Sequence, residues 1–244
     1  MCRHLAYLGP PIPLSALLYD PPHGLSHQSW APRDMRGGGT INADGFGVGW
    51  HTPAGPVRYR RATPLWSDNT LPGLAGTIAA GSVLAAVRSA TAGMPVTEFA
   101  AAPFADGPWL FSHNGVVRGW PDSVAKLAGT LPVTDLLTLE APTDAALLWA
   151  LVRARLHEGP PAAIRTTVAE VERAAPGSRL NLLLTDGTTI VATTAGHALS
   201  VRHGDSVLVA SEPLDDDPAW QSVDDRSLLV ADRSGIRLTS LGDA

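Results

Sequence analysis

Short apolar runs in the first half of the chain predict β-strands. Residues 45–52 and 57–63 alternate small or apolar side chains with polar ones, which indicates a strand pair joined by a Pro-Ala-Gly turn. Residues 83–90 and 109–115 are nearly continuous apolar runs that end in polar residues, as is typical of largely buried strands. Glycine and proline are frequent in the first third, for example in Pro-Pro-Ile-Pro at 10–13, so we expect loops around short strands there.

Helical spacing of apolar residues replaces this pattern in the middle of the chain. The segments 121–131, 142–159 and 161–177 are predicted to be helical. Thr143 or Asp144 is placed to cap the second helix, and Gly159 and Gly177 are placed to stop the second and third.

Strand patterns return in the last third. Residues 179–196 predict a hairpin around Asp186-Gly187, a signal for a type I′ turn, and the segments 205–214 and 226–241 predict further strands. No linker or repeat divides the chain, so we expect one domain over residues 1–244. Strands first, helices in the middle and strands at the end predict an α+β fold in which sheets pack between helices.

Composition narrows the function classes. The chain has 45% apolar and 17% charged residues, a net charge of -5 and a pI of about 5.9. An acidic protein without a basic cluster is unlike one that binds nucleic acid or an anionic membrane, so we expect a small-molecule partner. No signal-peptide pattern and no membrane-spanning run occurs, which leads us to expect a cytoplasmic protein.

The single cysteine lies at position 2, which excludes an internal disulfide and a thiolate zinc cluster. An initiator methionine is normally removed before a small residue, so we expect a mature chain that begins with Cys2. Its α-amine would have a reference pKa of about 7.7–8.0 and could accept the thiol proton. Nucleophile and base would then occupy one residue, although an accidental terminal cysteine is the simpler interpretation of this feature alone.

Four further residues suit the cleavage of an amide. Asn114 and Gly115 offer a side-chain amide and a backbone N–H for an oxyanion, although Asn-Gly is also a common turn. Arg88 ends an apolar strand and suits a carboxylate. Asp144 suits an ammonium group, although a charge that favours a helix N-terminus explains it equally well. Together these residues suggest a γ-glutamyl amide as substrate.

The same residues resemble the class II glutamine amidotransferase family. The resemblance rests on the Met-Cys start and four motifs: Asn-Ala-Asp-Gly-Phe-Gly-Val-Gly-Trp (42–50), Val-Arg-Ser-Ala-Thr (87–91), Ser-His-Asn-Gly (112–115) and Pro-Thr-Asp-Ala (142–145). It implies an N-terminal-nucleophile hydrolase with a four-layer αββα sandwich fold.

The resemblance also implies a role for each matched residue. Cys2 would be nucleophile and base, Asn114 and Gly115 would form the oxyanion hole, and Arg88 with Thr91 would hold the substrate carboxylate. Asp144 would receive the substrate ammonium group. His113 is also expected to be a substrate-binding residue. We expect it to pack against or orient Asn114 rather than act as a base.

The chain is too short to carry the ammonia-using domain of the large synthases in this family. It therefore resembles the stand-alone branch, and most of all the amidohydrolases of ergothioneine biosynthesis, which act on γ-glutamyl-hercynylcysteine sulfoxide. This substrate rests on the resemblance alone. A glutaminase subunit that supplies ammonia to a separate synthetase, and a binding module without catalysis, are the alternatives.

Two features could serve the leaving group of such a substrate. Aromatic faces bind trimethylammonium groups, and Trp30 and Trp50 lie in the glycine-rich first third. A loop around Asp34 and Arg36 could close over the site. Core packing and an ordinary loop are the corresponding structural interpretations.

We expect neither a metal nor a cofactor. Several histidines precede residue 120, but none has the spacing and acidic neighbour of a catalytic zinc helix. His23 and His27 are four residues apart, yet we expect them in a loop rich in proline and glycine.

Overall fold

Two antiparallel β-sheets form the framework of the computed structural model, which describes residues 2–34 and 41–242. The strands are β1 (Arg3–Pro13), β2 (Phe46–Thr52), β3 (Gly55–Arg61), β4 (Ala79–Val87), β5 (Phe104–Asp106), β6 (Trp109–Val116), β7 (Arg179–Thr185), β8 (Ile190–Thr194), β9 (Ser200–His203), β10 (Val207–Ala210), β11 (Gln221–Ser222), β12 (Ser227–Asp232) and β13 (Gly235–Ser240). The α-helices are α1 (Ser15–Leu18), α2 (Leu25–Gln28), α3 (Leu71–Thr77), α4 (Ala125–Ala128), α5 (Val133–Leu137), α6 (Asp144–Ala154) and α7 (Pro160–Ala174).

The first sheet has the strand order β11-β9-β10-β1-β4-β2-β3, and the second has the order β13-β12-β8-β7-β6-β5. Neighbouring strands within each sheet run antiparallel. The N-terminal strand β1 thus lies in the middle of the first sheet, between β10 and β4.

Strand alternation divides the buried side chains into three apolar layers. On β1, Leu5 and Tyr7 pack towards α1–α3, whereas Ala6 and Leu8 pack between the sheets. On β7, Leu182 and its neighbours at every second position pack towards α6 and α7, whereas Leu183 packs between the sheets. Helices therefore cover both outer faces, and the predicted α+β fold with four αββα layers is confirmed.

Strand β1 is longer than the sequence pattern predicts. It includes residues 10–13, which we expected to form a loop. Strand β10 pairs with β1 only over Leu5–Leu8, and the pairing with β4 shifts register between Leu8 and Ile12. Proline donates no backbone hydrogen bond, so it is tolerated where one strand edge is unpaired and where the ladder is interrupted. The prolines of β1 occupy that part of the strand.

The predicted elements elsewhere mostly agree with the structure. Strands β2 and β3 pair as expected, and the strands expected within 226–241 form as β12 and β13, which pair with each other. The Thr143 hydroxyl caps α6 by accepting the Ala146 N–H at 3.3 Å. Helix α6 ends at Ala154, before the predicted stop, because a separate 3-10 turn occupies Leu156–Glu158.

The hairpin of β7 and β8 forms, but its predicted type I′ turn is wrong. The loop spans 186–189, because Thr185 pairs with Ile190. A type I′ turn needs two consecutive residues with positive φ, and here Gly187 (φ 93°) has one while Asp186 does not. The Asp186 carboxylate instead accepts the N–H groups of Thr188 and Thr189, both at 2.8 Å.

Among the described residues, no helix combines the length and apolar character needed to cross a membrane.

Candidate active site

The pairing of β1 with β4 places Cys2 beside Arg88. Arg3 pairs with Val87 in this antiparallel ladder, so the preceding residue of β1 lies opposite the residue that follows β4. The Cys2 thiol is partly buried and donates to the Ser89 carbonyl oxygen at 3.7 Å. The only cysteine thus lies at one end of the central strand pair of the first sheet.

All predicted site residues except Asn114 line one pocket. Both sheets and the N-terminus of α6 contribute to its wall. The predicted residues on its surface are Cys2, Arg88, Thr91, His113, Gly115 and Asp144. The fold therefore brings together residues that are far apart in the sequence.

Arg88 is a buried cation at the end of β4, and its side chain is 9% exposed. Its backbone is fixed by hydrogen bonds to Gly45 O and from Asp44 N, and its Nη1 donates to Pro95 O at 2.8 Å. Within residues 2–34 and 41–242, no carboxylate lies within 4 Å of the guanidinium. Because burial without an anionic partner disfavours a charge, this side chain is suited to bind an anion in the pocket.

Asp144 is the corresponding buried anion, 6% exposed. Its carboxylate accepts the N–H groups of Ala145 at 2.8 Å and Val117 at 3.0 Å. Across the described chain, no Lys, Arg or His nitrogen forms a salt bridge with it. As the first residue of α6 it also benefits from the helix N-terminus. The structural interpretation of Asp144, a charge that favours a helix N-terminus, therefore applies, and Asp144 also lines the pocket.

Asn114 and Gly115 lie inside strand β6 rather than in a turn, paired with Asn181 and Leu180 of β7. The Asn114 side chain is fully buried, and its Nδ2 donates to Ser211 Oγ at 3.2 Å. Asn114 is not itself among the residues that line the pocket, whereas its neighbours His113 and Gly115 are. At Gly115, a Cβ atom would lie 1.9 Å from the Arg179 carbonyl oxygen, so only glycine fits.

His113 is buried and lines the pocket beside these two residues. Its Nε2 lies 3.0 Å from the Arg179 carbonyl oxygen. Because a carbonyl only accepts, Nε2 carries the proton and donates. The ring is thus fixed to the β7 backbone, and it makes no hydrogen bond to Asn114.

Two buried histidines that the sequence pattern does not single out for chemistry lie near this region. Burial lowers the pKa of His4 to about 3, and it lowers the pKa of His197 to about 3 as well. Both side chains are therefore neutral at physiological pH. No motif or spacing distinguishes them in the sequence, because their burial depends on how the two sheets pack.

Glu212 is a further buried group that the sequence analysis did not assign. Its carboxylate accepts the N–H groups of Arg33 and Asp34, and Arg3 also donates to the Asp34 carbonyl. The pKa of Arg3 is lowered by burial, against the opposing charges of Glu212 and Asp34. These contacts fix the chain up to Asp34, whereas Arg36 lies outside the described residues.

Neither tryptophan proposed for the leaving group lines this pocket. Trp30 is 50% exposed and stacks on His27 with ring centroids 4.6 Å apart. Trp50 packs against the core beneath the outer face of the first sheet. Over residues 2–34 and 41–242, no group of three or more His, Cys, Asp or Glu side chains is arranged to hold a metal ion.

Comparison with known proteins gives relatives that match over the full chain. A γ-glutamyl-hercynylcysteine sulfoxide hydrolase of Mycobacterium tuberculosis (strain CDC 1551 / Oshkosh) is 43% identical over 245 residues, covering 100% of this chain and 98% of that protein. The Mycolicibacterium smegmatis protein of the same name is 43% identical over 243 residues, covering 99% and 100%. No family model matches the sequence.

Solved structures share the fold. A class II glutamine aminotransferase domain protein from Silicibacter pomeroyi superposes with a TM-score of 0.72 at 24% identity, covering 99% of this chain and 100% of that one. The Bacillus subtilis glutamine phosphoribosylpyrophosphate amidotransferase gives 0.71 at 16% identity, covering 99% of this chain and 49% of the larger enzyme. The chain therefore belongs to the γ-glutamyl-hercynylcysteine sulfoxide hydrolase family, on the fold of the class II glutamine amidotransferases.

Proposed function

We propose that this chain hydrolyses the γ-glutamyl amide bond of γ-glutamyl-hercynylcysteine sulfoxide and releases glutamate. The observation that carries the proposal is the pair of opposite buried charges beside Cys2. Arg88 lacks an anionic partner and Asp144 lacks a cationic one among the described residues, and both line the pocket that contains the only thiol. The α-carboxylate and α-ammonium of a glutamyl group would supply both missing partners.

The first half of the proposed reaction forms a thioester. With Met1 removed, the Cys2 amine accepts the thiol proton and the sulfur attacks the γ-carbonyl carbon. The carbonyl oxygen becomes an oxyanion, which is stabilised by the Asn114 amide and the Gly115 N–H. Collapse of this intermediate breaks the C–N bond, and the departing amine takes the proton from the Cys2 ammonium group.

The second half hydrolyses the thioester. Water gives a proton to the Cys2 amine and adds to the thioester carbonyl, and the same donors stabilise the second oxyanion. Collapse breaks the C–S bond, glutamate leaves, and the thiol regains its proton. The Arg88 and Asp144 contacts hold the glutamyl group throughout, so both steps occur at one fixed carbonyl position.

The direct test supplies purified protein with synthetic γ-glutamyl-hercynylcysteine sulfoxide and, separately, with L-glutamine. We expect equimolar glutamate and hercynylcysteine sulfoxide from the first substrate, measured by liquid chromatography and mass spectrometry, and much slower release from glutamine. Rapid ammonia release from glutamine only on addition of a synthetase would support an ammonia-supplying subunit. Binding without any glutamate release would support a module without catalysis, and either outcome contradicts the proposal.

Substitution of the nucleophile provides the matched control. Cys2→Ala is expected to abolish glutamate release and leave the thermal unfolding midpoint close to that of the unmodified chain, because this side chain is only partly buried. Intact mass should show the loss of one methionine from the active protein. Turnover by Cys2→Ala, or full activity of a chain that retains Met1, would contradict the mechanism.

A further inference from the structure

Ser211 lies directly after β10 and continues its pairing with β1. Ala210 pairs with Leu5, and the Ser211 N–H donates to the His4 carbonyl oxygen at 2.9 Å. The side chain is 2% exposed. Its hydroxyl is therefore held at a fixed position beside His4, which is two residues after Cys2 on the neighbouring strand.

The Ser211 hydroxyl makes three contacts, which use its full hydrogen-bonding capacity. It donates to His4 O at 3.2 Å, and it accepts from His4 N at 3.0 Å and from Asn114 Nδ2 at 3.2 Å. A serine hydroxyl has one proton and two acceptor positions, so none is left over. Because the hydroxyl proton is donated to the His4 carbonyl, the Ser211 oxygen can only accept from Asn114. It therefore fixes the Nδ2 end of the Asn114 amide.

The orientation of the Asn114 side-chain amide depends on its contact with Ser211. Its Oδ1 has no hydrogen-bond partner in the part of the chain that the structure describes, and its Nδ2 bonds to no other described residue. The second N–H of Nδ2 has no hydrogen-bond partner among the described residues. An amide fixed at a single point loses its preferred orientation when that point is removed.

The contact also joins the two sheets. His4 is on β1, the strand that carries Cys2 into the first sheet, whereas Asn114 is on β6 of the second sheet. The distance between the nucleophile and the oxyanion donor therefore depends on how the two sheets are held relative to each other. The Ser211 side chain bonds to both strands, and the contact of His4 Nδ1 with Ser112 Oγ at 3.2 Å is a second link between them.

We propose that Ser211 is a positioning residue for the reaction, which orients the Asn114 amide towards the oxyanion formed at the Cys2-bound carbonyl. The proposal rests on the proposed function. Loss of an oxyanion donor lowers kcat by about 100- to 1,000-fold. A donor that is present but wrongly oriented should lose part of this, so we expect Ser211→Ala to lower kcat by about 10- to 100-fold with KM within about twofold.

Two comparisons test this assignment on γ-glutamyl-hercynylcysteine sulfoxide. The matched control is Ser82→Ala, which removes another buried hydroxyl of the first sheet, bonded to His51 at 2.9 Å. It should leave kcat unchanged. The double variant Ser211→Ala/Asn114→Ala should be no slower than Asn114→Ala alone, because the two residues act as one unit.

Alkylation separates positioning of the amide from damage to the thiol. Iodoacetamide forms a thioether without an oxyanion, and the chain has a single cysteine, so its uptake reports on Cys2 alone. We expect Ser211→Ala to alkylate at the rate of the unmodified chain. A kcat within twofold of the unmodified chain, multiplicative losses in the double variant, or parallel slowing of alkylation would each overturn the assignment.

Two outcomes need a separate readout. If Ser211→Ala does not fold, Ser211→Thr is compared with Ser211→Val, which has nearly the same shape without the hydroxyl, and equal kcat values would overturn the proposal. If the unmodified chain releases no glutamate, the proposed function fails and the role of Ser211 fails with it. An active unmodified chain with a fully active Ser211→Ala variant rejects the role of Ser211 alone.

Discussion

Arg88 differs from other largely buried arginines because its guanidinium has no carboxylate partner among the described residues. The Arg60 side chain is 10% exposed and contacts Glu140 at 2.6 Å, and the Arg155 side chain is 16% exposed and contacts Glu170 at 2.5 Å. Arg88 is buried to a similar degree and has no such carboxylate in the described ranges. This leaves the Arg88 guanidinium available to pair with an anion bound in the pocket.

Arg88→Gln is expected to reduce kcat/KM for the γ-glutamyl substrate by about 10- to 100-fold, since a charged hydrogen bond contributes about 1.5–3 kcal/mol. The loss should disappear with 4-aminobutanamide, which keeps the amine and amide of glutamine and lacks the α-carboxylate. Arg155→Gln is the control, because it removes a guanidinium paired with Glu170. Equal losses on both substrates would contradict the assigned role of Arg88.

Asp144→Asn provides the opposite experiment. The amide keeps the side-chain shape and removes the negative charge, so kcat/KM for the γ-glutamyl substrate should fall by about 10- to 100-fold. Glutaric acid monoamide carries the carboxylate without the amine, and it should be hydrolysed equally by both proteins. A selective loss on glutaric acid monoamide would show that Asp144 acts on another part of the substrate.

At the scale of elements, β6 explains why an Asn-Gly pair is a poor guide to local structure here. The dipeptide favours a turn in isolation. In this chain it is inside a strand, because the neighbouring β7 backbone approaches so closely that only glycine fits at 115. Contacts made by distant residues override the local preference.

Gly115→Ala should therefore destabilise the fold and not only the site. A new Cβ would overlap the Arg179 carbonyl, and inserted atoms in packed positions cost about 1–3 kcal/mol or more. Gly73→Ala in α3 is the control, because nothing lies within 4 Å of its added Cβ and alanine favours a helix by about 0.5–1 kcal/mol. Urea unfolding should show a lower midpoint for the first variant and an equal or higher one for the second, and the reverse order would refute the packing argument.

Most of the elements follow from the sequence, and the exceptions have identifiable causes. Periodicity predicts β2, β3, β4, β6, α6 and α7 because their apolar positions face one or two buried layers. It misses the length of β1, since prolines at its far end are accommodated by an unpaired edge that only the sheet order reveals. The predicted pocket residues followed from motifs, whereas no motif assigned a role to Ser211 or Glu212. Ser211 acquires its contacts beside the pairing of β10 with β1, and Glu212 acquires its contacts from the backbone of Arg33 and Asp34, so both depend on the tertiary fold.

At the scale of the whole molecule, two neutral histidines in the interior predict a dependence of stability on pH. The pKa of His4 and that of His197 are each lowered from the ordinary value of 6.5 to about 3. Between these values the unfolded chain binds more protons than the folded one. The free energy of unfolding therefore falls as the pH is lowered from 6.5 towards 3, by up to about 1.4 kcal/mol per pH unit for each ring.

His197→Gln should make this decline shallower between pH 6.5 and 4.5. His203→Gln changes an exposed histidine and serves as the control, with the decline unaltered. Urea unfolding at several pH values measures both slopes. Parallel curves for His197→Gln and the unmodified chain would show that its burial does not contribute to acid sensitivity.

The central place of β1 has a consequence for synthesis of the protein. One flanking strand, β4, is made early, but the other, β10, begins at Val207. At about 5–20 residues per second, a ribosome needs about 10 to 40 s to reach that point. The start of the chain thus lies beside an open strand edge during most of translation, and removal of Met1, on which the proposed mechanism depends, has this interval in which to occur before the sheet closes around Cys2.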